Sequence, residues 1–400
     1  MGSATVQEAQ LVLILSFVLP LAVSLVVTVG LTWLFYPAIL AAWSDKIEWD
    51  ETELSKSEKP RSPRDDNAPN LAPILLSLVI PAYNEQDRIF VMLRAAYEYL
   101  ESDAGKATLK QLLLCTENAE GSRAADKLFE ANIVEWIIVN DGSKDDTCSV
   151  VKDACKKLSA GSATVRQGMQ HSWKLISLRV NSGKGAAVKT GMLTARGKFR
   201  LMVDADGATD FGPGLELLVE QLSKRVLQGN EDRSTPSRQQ ESKATITDGR
   251  VAVLGSRAHL ENDSVAQRSF MRTLLMHAFH FFVSMLVSNR IHDTQCGFKL
   301  FTDVAANAAF GNLHLRRWAF DTELIMVCTS GHLFSGSDNT NSKDSQRGIE
   351  LIEVGVPWQE VEGSKLNTSK LALAWVSLSM LRDMICVRAC YALRIWKVKQ

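Results

Sequence analysis

Asp204 and Asp206, one residue apart at the end of the apolar run from Phe199 to Val203, are the pair best suited to chemistry in this sequence. A bend at a strand end turns two carboxylates with this spacing toward one oxygen-coordinated divalent cation, Mg2+ or Mn2+. Diphosphate oxygens would complete such a site, and the ion would neutralise the charge that develops on a departing nucleoside diphosphate. The same spacing also occurs in solvated turns and helix caps, so the pair needs company before it reads as a site.

Three loops supply that company. Pro81, Ala82, Tyr83 and Glu85 follow the apolar run from Leu75 to Ile80, Asp141 sits in the turn that ends the run from Glu135 to Val139, and Lys184 stands between Gly183 and Gly185. Each loop has a plain reading as well: a Pro-terminated turn with Asn84 as cap, ordinary turn chemistry with Ser143 as cap, and a solvated lysine. The glycines let backbone approach a ligand closely, although the spacing is not that of a P-loop. Lys184 faces a nucleotide or solvent, and both remain open. Farther along, Asp293 and Gln295 precede a Gly-Phe pair and offer polar groups to sugar hydroxyls. Arg257, and Arg268 with Arg272 about one helical turn apart, present guanidinium groups suited to a phosphate.

The elements that position these residues alternate in type. Each apolar run stops at polar or acidic residues, and amphipathic stretches from Arg88 to Leu100, Asp145 to Leu158 and Gly185 to Ala195 lie between them. This β-α-β-α-β order predicts an α/β domain on a mostly parallel sheet, in which ligands sit at the carboxyl ends of strands. Segments near 109–123, 228–249 and 335–347 are expected to be mobile insertions, the last two because they are polar and nearly without large apolar residues.

Composition narrows the choice of partners. The 400 residues carry 45 Lys+Arg against 45 Asp+Glu, so no global field recruits nucleic acid, and any phosphate binding is local. The seven cysteines form no CxxC pair, which points away from zinc or a disulfide framework and toward a reducing compartment. His277 and His280 have no third ligand at metal spacing and read as packed histidines.

Leu11 to Ala42 contains no charged residue and is long enough to span a bilayer, which predicts a transmembrane anchor over residues 1–44. Lys46, Lys56, Lys59 and Arg61 follow it and place the downstream chain in the cytosol. Residues 45–72, charged and Pro-containing, are expected to be a flexible stalk. The apolar stretch from Phe270 to Val287 suits an interfacial helix. Residues 367–400, where Leu, Val, Trp and Met alternate with Arg and Lys, suit an amphipathic helix at the membrane surface.

Four motifs in order carry a resemblance. SLVIPAYNE from Ser77 to Glu85, VNDGSKDDT from Val139 to Thr147, NSGKGAA from Asn181 to Ala187 and VDADG from Val203 to Gly207 resemble the family 2 glycosyltransferases. Within that family GSRA from Gly255, DTQCGFKLF from Asp293 and RWAFDTE from Arg317 are similar to the dolichyl-phosphate β-glucosyltransferases. The likeness covers residues 73–366 apart from the insertions, and departs at Asp210, where a basic or neutral residue is expected.

The resemblance implies a GT-A fold, Rossmann-like with a mixed, mostly parallel sheet. It implies that the 81–85 loop holds the nucleoside with Glu85 toward the ribose, and that Asp141 accepts the imide N–H of uracil. Asp204 and Asp206 would hold the metal and donor diphosphate, arginines of the Arg257, Arg268 and Arg272 segment the acceptor phosphate, and Asp293 and Gln295 the reacting groups. A phosphate monoester has a second pKa near about 6, so at neutral pH it scarcely needs a base, and an orienting or electrostatic role for Asp293 is favoured over catalytic base. The implied reaction is inverting transfer of glucose from UDP-glucose to dolichyl phosphate, at the cytosolic face of the endoplasmic reticulum bilayer, for protein N-glycosylation. Mannosyl transfer from GDP-mannose and a non-catalytic, membrane-tethered nucleotide-sugar-binding protein are the alternatives. A processive polysaccharide synthase is disfavoured, because the chain has no bundle of spans and His314 to Arg317 reads HLRR where a Gln-x-x-Arg-Trp run would begin.

Overall fold

The computed structural model describes residues 19–43, 47–54, 74–116, 133–162, 170–231, 249–260, 291–329, 348–361 and 370–398, and the structural statements below are made of those residues. In chain order the elements are α1 (Leu19–Trp43), β1 (Trp49–Glu53), β2 (Ile74–Ala82), α2 (Ile89–Glu101), α3 (Asp103–Leu114), β3 (Ile133–Asn140), α4 (Thr147–Ser162), β4 (Gln170–Leu178) and α5 (Lys184–Thr194). They continue with β5 (Phe199–Met202), α6 (Phe211–Glu231), β6 (Val251–Ser256), β7 (Lys299–Thr302), α7 (Asp303–Gly311), α8 (Phe320–Thr329), β8 (Glu350–Gly355) and α9 (Lys370–Ala392).

The strands form one sheet in the order β1-β4-β3-β2-β5-β7-β6-β8. β2 pairs in parallel with β3 and β5, and β3 with β4, while β7 runs antiparallel to both β5 and β6. Helices cover both faces, so β2 and β3 read as near-continuous apolar runs. One face packs Leu76, Leu78, Ile80, Trp136 and Trp173 against α2, α3 and α6, with the two indoles stacked at 4.3 Å. The other packs Val79, Ile137, Val139 and Phe301 against α5, α7, α8 and α9.

Two polar residues interrupt the apolar strands and satisfy each other. The Ser77 hydroxyl donates to Glu135 Oε2 at 2.6 Å, and Glu135, with no exposed surface, also accepts from the backbone N of Arg196 and from its Nε at 2.9 Å each. Ser77 Oγ in turn accepts from Gly197 N. The cluster fixes the turn that feeds β5.

Two expectations are corrected. Residues 49–53 of the expected stalk form β1, which pairs antiparallel with β4 from Trp49↔Leu178 to Glu53↔Lys174, with Lys174 Nζ 3.0 Å from Glu51 Oε1. The strand closes a sheet edge that would otherwise expose unpaired backbone groups. Residues 109–114, expected to begin an insertion, belong to α3, whose Leu109, Leu112 and Leu113 are buried in the core. The rest of that segment, most of the other two insertions, the Phe270 to Val287 stretch, His277 and His280 lie outside the described residues.

The Val23–Ala41 part of α1 is long and apolar enough to cross a membrane, and Val23, Leu25, Val26, Val27 and Val29 face outward. α9 packs along it. The Arg382 guanidinium lies 5.4 Å over Trp33 and 5.9 Å over Tyr36 and pairs with Asp383 at 2.6 Å. α9 also buries Met384, Cys386, Val387 and Cys390 in a cluster against which Phe35, Ala38 and Ala41 of α1 pack, while Trp375, Leu378 and, just past the helix, Leu393 stay exposed.

Replacing Glu135 by Ala orphans buried donors and is expected to cost about 1–3 kcal/mol, lowering the melting temperature of the solubilised protein by several degrees. An unchanged melting temperature would show that the cluster is not structural.

Candidate functional site

Parallel register brings the carboxyl ends of β2, β3 and β5 to one side of the sheet, and the loops that leave them wall a cavity of about 610 Å³. The loop after β2 is laced to the loop after β3. Asn84, with φ 54°, donates its N–H to Ser143 Oγ and accepts from Lys144 N, while Glu85 N donates to Thr147 Oγ1. The Glu85 carboxylate is itself held by Arg88 in a bidentate pair at 2.7 and 2.8 Å.

Asp141 is buried at the end of β3, and its two oxygens accept from Ser182 N at 2.6 Å and Gly183 N at 2.9 Å. Burial pushes its carboxyl above the ordinary aspartate value, against the pull of those donors and of the Arg317 charge. Its first task is therefore to hold the glycine loop that precedes α5. Gly183, the N-cap of α5, has φ 99°, and a Cβ there would stand 2.5 Å from the Arg316 carbonyl oxygen.

Lys184 opens α5 and sets its Nζ 2.7 Å from Asp204 Oδ1, with the Trp318 ring 5.8 Å away. Burial disfavours the ammonium, but Asp204, Asp321 and Asp206 outweigh it and raise its pKa above the ordinary lysine value. The Asp204 carboxylate rests directly on Gly297, where any Cβ would overlap it. Asp206 accepts from Ala208 N at 3.0 Å, which shapes the turn after β5. Beneath these groups lies a buried pair: Lys299 Nζ is 2.6 Å from Asp321 Oδ1 and 2.5 Å from the Cys296 carbonyl oxygen.

Both Asp204 and Asp206 line the cavity, but among the described residues no group of three His, Cys, Asp or Glu side chains gathers to hold a metal. Two carboxylates and no third protein ligand fit a cation completed by substrate oxygens, as in phosphate-linked divalent sites.

Arg257, which also lines the cavity, follows β6. Asp293 accepts from its Nε at 2.7 Å, its Nη2 at 2.9 Å and its backbone N at 2.9 Å, and the guanidinium lies 5.4 Å from the Trp358 ring. Asp293 is buttressed by Glu353, which accepts from the backbone N–H groups of His292 and Asp293. Burial works to raise the Asp293 pKa, but the Arg257 bonds and charge prevail and hold it below the usual carboxylate range. The Asp293 carboxylate is thus bound through both oxygens to Arg257, which lines the cavity.

Pro81, Ala82, Tyr83, Glu85, Asp141, Lys184, Asp204, Asp206, Arg257 and Gln295 all line the cavity. Arg268 and Arg272 lie outside the described residues. The expectations missed Arg88, Arg317, Trp358 and Glu360, together with Val376 and Met380 from α9. Arg88 is three residues from Glu85 and Arg317 adjoins Trp318, so proximity to a recognised residue was the available signal. Val376 and Met380 had none, since only the docking of α9 brings them to the cavity.

The model of glycosyl transferase family 2 matches residues 77–285. The dolichyl-phosphate beta-glucosyltransferase of Homo sapiens is 37% identical over 325 residues, covering 81% of this chain and 78% of the human one. That of Saccharomyces cerevisiae is 31% identical, with 81% and 77% covered. Among solved structures, glucosyl-3-phosphoglycerate synthase from Mycobacterium tuberculosis with Mn2+, UDP-glucose and phosphoglyceric acid superposes with a TM-score of 0.42 at 13% identity, covering 79% of each chain.

Gly297→Ala tests the close approach to Asp204. The added methyl is expected to displace that carboxylate and cut turnover by about a hundredfold, with a change in melting temperature of only a few degrees. Full activity in this variant would remove Asp204 from the reacting geometry.

Proposed function

Because the chain belongs to glycosyl transferase family 2, and within it to the dolichyl-phosphate β-glucosyltransferases, we propose that it transfers glucose from UDP-glucose to dolichyl phosphate with inversion, forming dolichyl β-D-glucosyl phosphate. The observation that carries this reading is a cavity lined by two chemically distinct groups. The carboxylates of Asp204 and Asp206 with Lys184, and the Arg257 guanidinium beside Trp358, all face into it.

The 81–85 loop and Asp141 receive the uridine. Asp204 and Asp206 would hold Mg2+ or Mn2+, which supplies charge neutralisation for the departing diphosphate. Arg257 binds the acceptor phosphate, its guanidinium plane fixed by Asp293 so that little rotamer entropy is lost on binding. The phosphate oxygen attacks the anomeric carbon on the face opposite the diphosphate. The new C–O bond forms as the old one breaks, UDP leaves with the bonding pair, and configuration inverts. A dianionic phosphate needs no proton removed, so Asp293 serves as a positioning residue and no base is required of it. Gln295 on the cavity wall is suited to the sugar hydroxyls.

The lipid acceptor calls for a membrane, and α1 supplies the segment suited to span it. The basic residues after α1 support a cytosolic domain, and with the reaction class this supports the endoplasmic reticulum membrane as its place.

Incubation of the full chain with dolichyl phosphate, Mg2+ or Mn2+ and a panel of UDP- and GDP-sugars is expected to yield a glucolipid from UDP-glucose alone. A mannolipid from GDP-mannose would replace the donor, and no transfer from any donor would leave only a binding role. Asp206→Asn is expected to reduce kcat/KM by about 10²–10³-fold. For Asp293→Asn the expected change is a rise in the KM for dolichyl phosphate of about tenfold with kcat altered only severalfold. A large kcat loss at constant KM would instead return Asp293 to the role of base.

A further inference from the structure

The Lys184 ammonium stands where a second positive charge is least convenient for a metal. It lies 2.7 Å from Asp204 Oδ1, and both side chains keep some contact with solvent, at 20% and 31% exposure. On its other side the Asp204 carboxylate rests against Gly297. Lys184 is anchored by its backbone at the first position of α5, and its ammonium sits on a flexible four-carbon stem. A divalent cation that approaches Asp204 and Asp206 therefore meets a carboxylate already neutralised by a neighbour of the same sign as itself. In so short a space like charges oppose each other strongly.

A nucleoside diphosphate changes the balance. Its oxygens complete the coordination of the metal and at the same time give the ammonium a second anionic partner within reach of the same side chain. We propose that Lys184 is an exchange cation: it pairs with Asp204 in the nucleotide-free protein and passes to the diphosphate when metal and nucleotide enter, so that each binds tightly only with the other. This rests on the reading of the cavity as a nucleotide-sugar site and adds to it an order of events. Metal alone gains little, because it must displace Lys184 without offering it a partner. Nucleotide alone meets two carboxylates. By linkage, the factor by which nucleotide improves metal binding equals the factor by which metal improves nucleotide binding. On product release the pair leaves together, and Lys184 returns to Asp204. A lysine with a merely structural role would instead tie α5 to the turn after β5 and have no effect on that coupling.

The test uses Mn2+ binding to the full chain in detergent, read from the loss of the free-ion electron paramagnetic resonance signal, with and without UDP. The wild type is expected to bind Mn2+ weakly alone and more tightly with UDP, by on the order of tenfold or more. Lys184→Met is expected to raise the nucleotide-free Mn2+ affinity by on the order of tenfold and to shrink the gain from UDP. Lys184→Gln, which keeps a polar group beside Asp204, is expected to shift in the same direction, while Lys184→Arg keeps the charge and the weak nucleotide-free binding. If Lys184→Met and Lys184→Gln leave nucleotide-free Mn2+ binding unchanged or weaker, or if Lys184→Arg strengthens it as they do, the inference is overturned. The functional reading survives that result provided UDP-dependent Mn2+ binding by the wild type is lost in Asp206→Asn. If no form binds Mn2+ even with UDP, the metal reading falls, and the inference falls with it.

Discussion

Parallel pairing of β2 with both β3 and β5 is the constraint on which the site depends. The register that sets Ala82 opposite Asn140 and Val79 opposite Met202 brings Tyr83, Asp141 and Asp204 out of the sheet on the same side. Parallel strands demand helices on both faces, and those helices start where the strands end. α5 therefore begins at Lys184, beside Asp204, as a consequence of the crossover itself.

The charges of the cavity are matched before a ligand arrives. Glu85 is held by Arg88, Asp204 by Lys184, Asp293 by Arg257 and Asp321 by Lys299. A buried ion deprived of its partner is costly, and each pair fixes a geometry that the protein alone would not otherwise keep. The pairs differ in what they leave free. Lys299 is fully buried and Asp321 nearly so at the cavity wall, whereas Arg257, Lys184 and Asp204 keep more open faces toward the cavity. Function concentrates in the pairs that stay partly open.

Much of this was legible in the sequence because strand ends write themselves in composition. Apolar runs stopped by Pro81, Asp141 and Asp204 located β2, β3 and β5, and the ordered motifs identified most of the cavity wall. What escaped was tertiary. The acidic segment from Trp49 to Glu53 has no strand pattern, and its pairing comes from the free edge of β4. Residues 109–114 were read as the start of an insertion, although Leu109, Leu112 and Leu113 pack into the core. The sequence offered Asp293 and Arg257 as separate actors, and only folding, which brings residues 36 positions apart into contact, shows that they act as one.

The packing of α9 gives the N-terminal helix a second meaning. α9 supplies Val376 and Met380 to the cavity, and the same helix lies along α1 with Arg382 set over Trp33 and Tyr36. Removing α1 to obtain a water-soluble catalytic fragment would strip the aromatic seat from under Arg382 and loosen one wall of the cavity. For anyone engineering this protein, α1 is thus a structural support of the cavity wall as well as a helix apolar enough to cross a membrane.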